Sequence, residues 1–307
     1  MSLFDLTESE RNLYRTLPRP PETAEIRVTN VWIIEWLPLN ERSTGLELHE
    51  SIERKRSGWS QYLRCGSKLE VISAIDQATA IAGQKNFKPI LHIEAHGCSD
   101  YLQGPDGNTG KENLTWGELT KPLQRLNIAI RCNLIVFIAA CVGIAGILAL
   151  KQGPAPAILL VGPEGELGPK QVVDGAKEYY QRLLDKDPDH SYAVESASRE
   201  AVAVIEKEPF AVLCHEAHCG EIITSLRPEN REQKIQALYL KYYILGKDVR
   251  KEQVEQLNDP TYVGNNWQKL WDNMFMIDLY PENRSRFGLN MNSVVETVFD
   301  SQRRSKQ

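Results

Sequence analysis

The sequence predicts an α/β chain: a mostly parallel sheet with helices on both of its faces, and a C-terminal helical appendage. Three observations carry this. Short apolar runs alternate with amphipathic helical stretches from residue 25 to about residue 215, which is the pattern of βαβ units. Two of the runs, Pro89–Gly97 and Leu134–Gly143, are nearly continuous in apolar residues and bounded by glycine, as strands buried on both faces are. From about Pro228 the strand signal stops and helical spacing with aromatic residues takes over.

The elements follow in order. Residues 1–23 form an arm, with a short helix over Leu6–Leu17 ended by Pro18-Arg-Pro-Pro21, because proline fixes φ and lacks an N–H. Glu25–Leu37, rich in Val, Ile and Trp, is the first strand. Thr44-x-x-Glu47 is a capping box that opens a helix over 45–56. Trp59–Cys65 is the second strand. Ser67-x-x-Glu70 caps a helix with Leu69, Ile72 and Ile75 on one face, ending near Gly83. The Pro89–Gly97 strand follows, then a polar loop over 98–113. Thr115-x-x-Glu118 opens a third helix, with Leu119, Leu123 and Leu126 as its apolar stripe. After Leu134–Cys141 come a short helix over 143–150, a strand over 157–162, helices over 168–184 and 191–205, and a last strand over 209–213. The sheet domain therefore spans 24–227. The appendage, 228–307, carries an aromatic face of Tyr239, Tyr242, Trp267, Trp271, Phe275 and Phe299.

Composition narrows the function classes. At 42% hydrophobic and 25% charged the chain has an ordinary globular balance. A net charge of −5 offers no basic footprint for nucleic acid. The apolar run Leu134–Leu150 is short for a membrane span and is broken by Gly143 and Gly146, so no membrane partner is expected. The opening Met1-Ser-Leu-Phe-Asp5 lacks the basic and apolar regions of a signal peptide. Six cysteines scattered over 307 residues are not a disulfide framework. A reducing cytoplasm is the expected compartment.

The candidate chemistry sits where two of the buried strands stop. Pro89-Ile-Leu-His-Ile-Glu-Ala-His-Gly97 delivers His96, and Leu134-Ile-Val-Phe-Ile-Ala-Ala-Cys-Val-Gly143 delivers Cys141. As neighbouring parallel strands these would present both side chains at their carboxyl ends, where open α/β sheets place their sites. Cysteine attacks as thiolate and needs a base beside it; His96 can take the proton and return it to the leaving amine. Gly97, with no Cβ, lets its N–H approach a substrate carbonyl, and the Cys141 N–H is the second oxyanion donor. Glu94 shares a face with His96 and could orient it, although an ion pair elsewhere is the commoner fate; His92 on that face reads as a packed strand histidine.

These residues resemble the caspase-like cysteine peptidases, whose pattern is Q-A-C-x-G with the histidine about 50 residues upstream. Here Ala140-Cys141-Val142-Gly143 follows His96 by 45 positions. Leu91-His-Ile-Glu-Ala-His-Gly97, Leu114-Thr-Trp-Gly-Glu-Leu119 and Phe137-Ile-Ala-Ala-Cys141 occur in the order of the bacterial CHAT branch. The resemblance covers roughly residues 25–215. It implies a caspase-like fold and a His96–Cys141 dyad with Gly97 as oxyanion donor, working through a thioester without cofactor or metal. It also implies a protein substrate and an activating or sensor protein, as in bacterial defence and signalling modules.

Ala139 and Val142 stand where caspases carry glutamine and arginine, which argues against cleavage after aspartate. An acidic S1 pocket for Arg or Lys would draw on Asp100, Asp106, Glu164 or Glu166. About 16 residues separate Cys141 from the next strand, too few for a long cleavable linker, so control by a partner, a ligand or the C-terminal helices is expected. Cys214-His215-Glu-Ala-His218-Cys219 has metal-binding residue types, but two residues between its histidines do not make the metalloprotease spacing. Gly162–Gly168 lacks a nucleotide-loop pattern, and Arg303–Lys306 reads as a solvated basic end. The competing readings are a caspase-like adaptor that docks partners without catalysis, and a flavodoxin-like α/β domain in which Cys141 is incidental.

Overall fold

The computed structural model describes residues 6–21, 26–84, 87–105, 112–141, 143, 153–163, 166, 168–185, 206–244 and 248–304. The chain divides into two units, one of Met1–Glu22 with Ala211–Gln307 and one of Thr23–Phe210. The second unit holds the sheet. Strands β1 (Asn30–Trp36), β2 (Ser60–Arg64), β3 (Pro89–Gly97), β6 (Ile135–Ala139) and β7 (Leu159–Gly162) are parallel, in the order β2-β1-β3-β6-β7. Beyond them β8 (Glu206–Pro209) runs antiparallel on β7. A small flap, β4 (Tyr101–Gln103) with β5 (Asn113–Thr115), folds back antiparallel on the end of β3.

Both faces of the sheet are covered, which is why its strands are apolar on both sides. One face packs Trp32, Ile34, Leu91, Ile93, Val136 and Ile138 under helices α3 (Lys68–Ile81) and α4 (Trp116–Ala129). The other packs Val31, Ile33, Ile90, Ile135 and Phe137 under α2 (Thr44–Lys55) and α5 (Pro169–Asp185). In α3 the buried stripe is Val71, Ala74, Ile75 and Ala78, and Leu69 is 72% exposed. The expected stripe of Leu69, Ile72 and Ile75 is thus rotated. This helix is apolar on more than one side, so spacing alone did not choose the face.

The caps show how tertiary contacts compete with local rules. Thr115 and Glu118 form the full capping box of α4, and Ser67 caps α3 while Glu70 reaches the Gly66 N–H. Thr44 and Glu47 do not cap α2. Thr44 donates its hydroxyl to Glu94 at 2.7 Å, and Glu47 is held by Arg42. The start of α2 is instead satisfied by Glu35, fully buried, whose carboxylate accepts from the N–H groups of Gly45 (2.8 Å) and Leu46 (3.3 Å) and from the Ser43 and Tyr62 hydroxyls. Arg64 completes that cluster at 3.2 Å. An anion under a helix N-terminus meets both its unpaired donors and its dipole.

In the other unit the core is aromatic. Trp271, on α9 (Pro260–Met274), packs on Phe275 with ring centroids 4.7 Å apart, and Phe275 stacks on Phe287 at 5.0 Å. Met291, Val294, Val295, Val298 and Phe299 of α11 (Met291–Arg304) are buried with them. Of the expected aromatic face, Trp271, Phe275 and Phe299 are buried, whereas Tyr239 on α7 (Pro228–Ile244) is 53% exposed. Short helices α8 (Lys251–Gln256) and α10 (Asn283–Phe287) lie between the longer ones in sequence. The N-terminal helix α1 (Glu8–Thr16) belongs to this unit. Glu10 accepts two 2.7 Å bonds from Arg227, and Tyr14 and the Pro18 carbonyl meet His215 at 3.4 and 2.8 Å. The arm is docked.

The expected strand over 209–213 is not there: Pro209 ends β8, and α6 (Phe210–Ser225) begins at the next residue. A five-residue apolar run cannot tell a strand from a buried helix. The residues that follow are buried at helical spacing, with Cys214, His215, His218, Cys219, Ile222 and Ile223 all inside. The expected helices over 143–150 and 191–205 lie outside the described residues. Among the described residues no helix is long and apolar enough to cross a membrane.

His218 gives this unit an acid-sensitive point. Its ring lies 5.3 Å from that of Trp267 and 6.0 Å from that of Trp271, and its Nδ1 is buried without a hydrogen bond among the described residues. Burial, helped by nearby His215, holds its pKa down to about 4 from 6.5. The unfolded chain therefore takes up this proton first. The stabilisation is complete above about pH 6.5 and is lost as the pH falls towards 4, about 3 kcal/mol in all. Tryptophan-monitored unfolding is expected to show a lower midpoint at pH 5 than at pH 7, and His218→Phe should flatten that dependence. Equal midpoints in the wild type, or a full pH dependence in the variant, would rule this account out.

Candidate active site

The pairing of β3 with β6 builds the site. Their register runs to Glu94 beside Ala139, two residues before His96 and Cys141 in each chain segment, and His96 itself pairs with Gln103 of β4. Adjacent strands lie about 4.8 Å apart. The 45-residue spacing read in the sequence is the register offset of these two strands. A Cβ on Gly97 would lie 3.0 Å from the Ala140 Cβ and 3.1 Å from the Cys141 carbonyl oxygen, so a side chain here would require these neighbours to give by a few tenths of an ångström. Just past β6 the chain turns, with the Gly143 N–H donating to the Ala140 carbonyl at 3.0 Å. A Cβ at Gly143 would come within 2.7 Å of the Ile138 carbonyl oxygen. Gly143 is thus sterically required, and Gly97 is tightly confined.

His96 has an acidic neighbour that the sequence reading did not find. Its Nε2 meets both carboxylate oxygens of Glu41, at 2.9 and 3.1 Å, and the two side chains are 44% and 39% exposed. Glu94 does not serve it. That carboxylate is buried, bound by the Thr44 hydroxyl at 2.7 Å and by His92 Nε2 at 2.9 Å. His92 in turn meets the Tyr180 hydroxyl at 3.1 Å and stacks on Phe137 at 4.5 Å. Burial pushes the Tyr180 phenol well above its ordinary range, so it keeps its proton. His92 is the packed strand histidine that the sequence suggested, and it closes a buried polar chain from α5 to α2.

The cysteines differ in access. Cys65, Cys132, Cys214 and Cys219 are buried, while Cys98 and Cys141 are half-exposed. Burial, with Glu70 nearby, pushes the Cys65 thiol up to about 11, and burial alone pushes Cys219 up to about 12. Of the acidic candidates, Asp100 is exposed in the turn between β3 and β4, two residues after Cys98, whose Sγ its N–H contacts at 3.5 Å. Glu166 is exposed in the segment between β7 and α5. Asp106 and Glu164 lie outside the described residues. The structure therefore brings Gly97 against Cys141 at the carboxyl edge of the sheet, with His96 next to Gly97 and Asp100 shortly after it in the chain.

The Cys214–Cys219 cluster is employed otherwise. His215 is engaged by Tyr14 and Pro18, and His218 packs against tryptophan. Among the described residues no group of three His, Cys, Asp or Glu side chains is arranged to hold a metal ion. No protein-family model matches this chain, and no curated protein matches it.

Proposed function

We propose that the chain is a caspase-like cysteine endopeptidase. The observation that supports this reading is the close approach of the two strand ends: a Cβ on Gly97, next to His96 in the chain, would lie 3.1 Å from the Cys141 carbonyl oxygen at the carboxyl edge of a parallel sheet. In the proposed cycle Cys141 Sγ gives its proton to His96 and attacks the scissile carbonyl carbon. The oxyanion is received by the N–H groups of Gly97 and Cys141. His96 then protonates the leaving amine, the C–N bond breaks, and a thioester remains. Water, deprotonated by His96, hydrolyses the thioester and restores the thiol. Substrate protein and activating partner follow from the resemblance, and the S1 acid from Asp100 or Glu166.

Two measurements test this. A peptide library scanned at P1 should be cleaved, with Arg or Lys preferred over Asp. Limited labelling with iodoacetamide should modify Cys141 ahead of Cys98, the other half-exposed cysteine, and far ahead of the four buried ones. Preference for Asp would remove the acidic pocket. No cleavage, combined with Cys141 labelled no faster than Cys98, would replace the peptidase by the adaptor reading.

A further inference from the structure

His96 lies between two neighbours. The strand order β1-β3-β6 puts β1 on one side of β3 and β6 on the other. The register pairs Trp36 at the end of β1 with Ala95, one residue before His96, which itself pairs with Gln103 of β4, and the segment after β1 returns to His96. That segment carries Glu41. The loop after β1 thus brings a carboxylate to the imidazole at the end of β3. With both Glu41 oxygens within 3.1 Å of Nε2, Nδ1 is the ring nitrogen that Glu41 does not engage.

The Glu41 loop is braced. The Glu41 N–H donates to the Pro38 carbonyl at 3.1 Å, closing a tight turn. Arg64 donates to the Pro38 carbonyl at 3.0 Å and is itself paired with buried Glu35. Arg42, next in the chain, is forked onto Glu47 of α2, and that pairing holds the Glu47 carboxyl down to about 2. A carboxylate that only solvates a loop does not need such anchoring. One that must hold a ring at fixed angle does.

We propose that Glu41 is the positioning residue of the site: it accepts the Nε2 proton of His96, fixes the tautomer with Nδ1 facing Cys141, and stabilises the imidazolium formed when the thiol is deprotonated. This rests on the peptidase reading for its kinetic consequence, but not for its structural one.

The test compares Glu41→Ala and Glu41→Gln with the wild-type full chain. On the best library peptide, kcat should fall about 10- to 100-fold in Glu41→Ala while KM stays within about twofold. The rate of Cys141 carbamidomethylation should fall by a comparable factor. Glu41→Gln, which keeps an acceptor oxygen, should lie between. Unfolding midpoints should not move, since the side chain is half-exposed. Imidazole ¹⁵N spectra, with the His96 signals assigned by His96→Gln, should show the Nε2–H tautomer in the wild type and a mixture in Glu41→Ala. A raised KM for basic P1 peptides with kcat unchanged would make Glu41 a pocket acid and overturn the proposal. So would a tautomer balance identical in the two proteins. If the wild type cleaves no peptide, the peptidase reading fails by that result, while the tautomer and alkylation measurements still decide the role of Glu41.

Discussion

Replacing Cys141 with alanine is expected to abolish peptide cleavage, and replacing His96 with alanine to lower kcat/KM by about 1000-fold or more, because nucleophile and base act as one unit. The double variant should be no worse than Cys141→Ala. Gly97→Ala is the more discriminating change. Its new Cβ would meet the Ala140 Cβ at 3.0 Å and the Cys141 carbonyl at 3.1 Å, and displacing the two strand ends by even a fraction of an ångström misaligns thiol and imidazole. A loss of about 10- to 100-fold in kcat/KM is expected, with Cys141 still present and the fold intact by circular dichroism. Wild-type cleavage rates in His96→Ala would end the dyad account, whatever the fate of the other variants.

The largest effect on stability is expected at Glu35. Removing its side chain takes away the acceptor of the Gly45 and Leu46 N–H groups, breaks the ion pair with Arg64, which keeps the Pro38 carbonyl, and leaves the Ser43 and Tyr62 hydroxyls to each other in one step. Leaving a charge and backbone donors unpaired near a helix N-terminus costs about 3–5 kcal/mol. Glu35→Ala should therefore shift the urea midpoint strongly downwards, and Glu35→Gln, whose amide oxygen still accepts, should shift it less. A Glu35→Ala protein within about 1 kcal/mol of the wild type would show that α2 does not depend on this carboxylate.

The parts of the fold legible in sequence were those where local pattern and tertiary demand agree. The runs ending at Gly97 and Cys141 are buried on both faces, so their apolarity reads directly, and their spacing carries the register. Leu119, Leu123 and Leu126 are buried as their spacing indicates. The stripe of α3 and the start of α6 were misread where apolar residues lie on more than one side, because periodicity then has no contrast. Thr44 and Glu47 match a capping box but are drawn away by Glu94 and Arg42, competitors that no four-residue window contains. Glu41 was invisible for the same reason at longer range: an acidic residue in a polar loop, 55 positions before His96, is brought to it only by the pairing of β1 with β3.

The docking of α1 has a consequence for how the chain is made. Helix α1 reaches its partners His215 and Arg227 only after the whole of Thr23–Phe210 has been synthesised. At ribosomal rates that is a wait of about 10–40 s. Nine residues are too few for a helix to persist alone in water, so the segment emerges as an exposed, unstructured stretch and must be recaptured once Arg227 has been made. The sheet unit, contiguous in sequence, is free to fold first. The helical unit is completed last and from both sides, its early strip of chain waiting for a surface that does not yet exist.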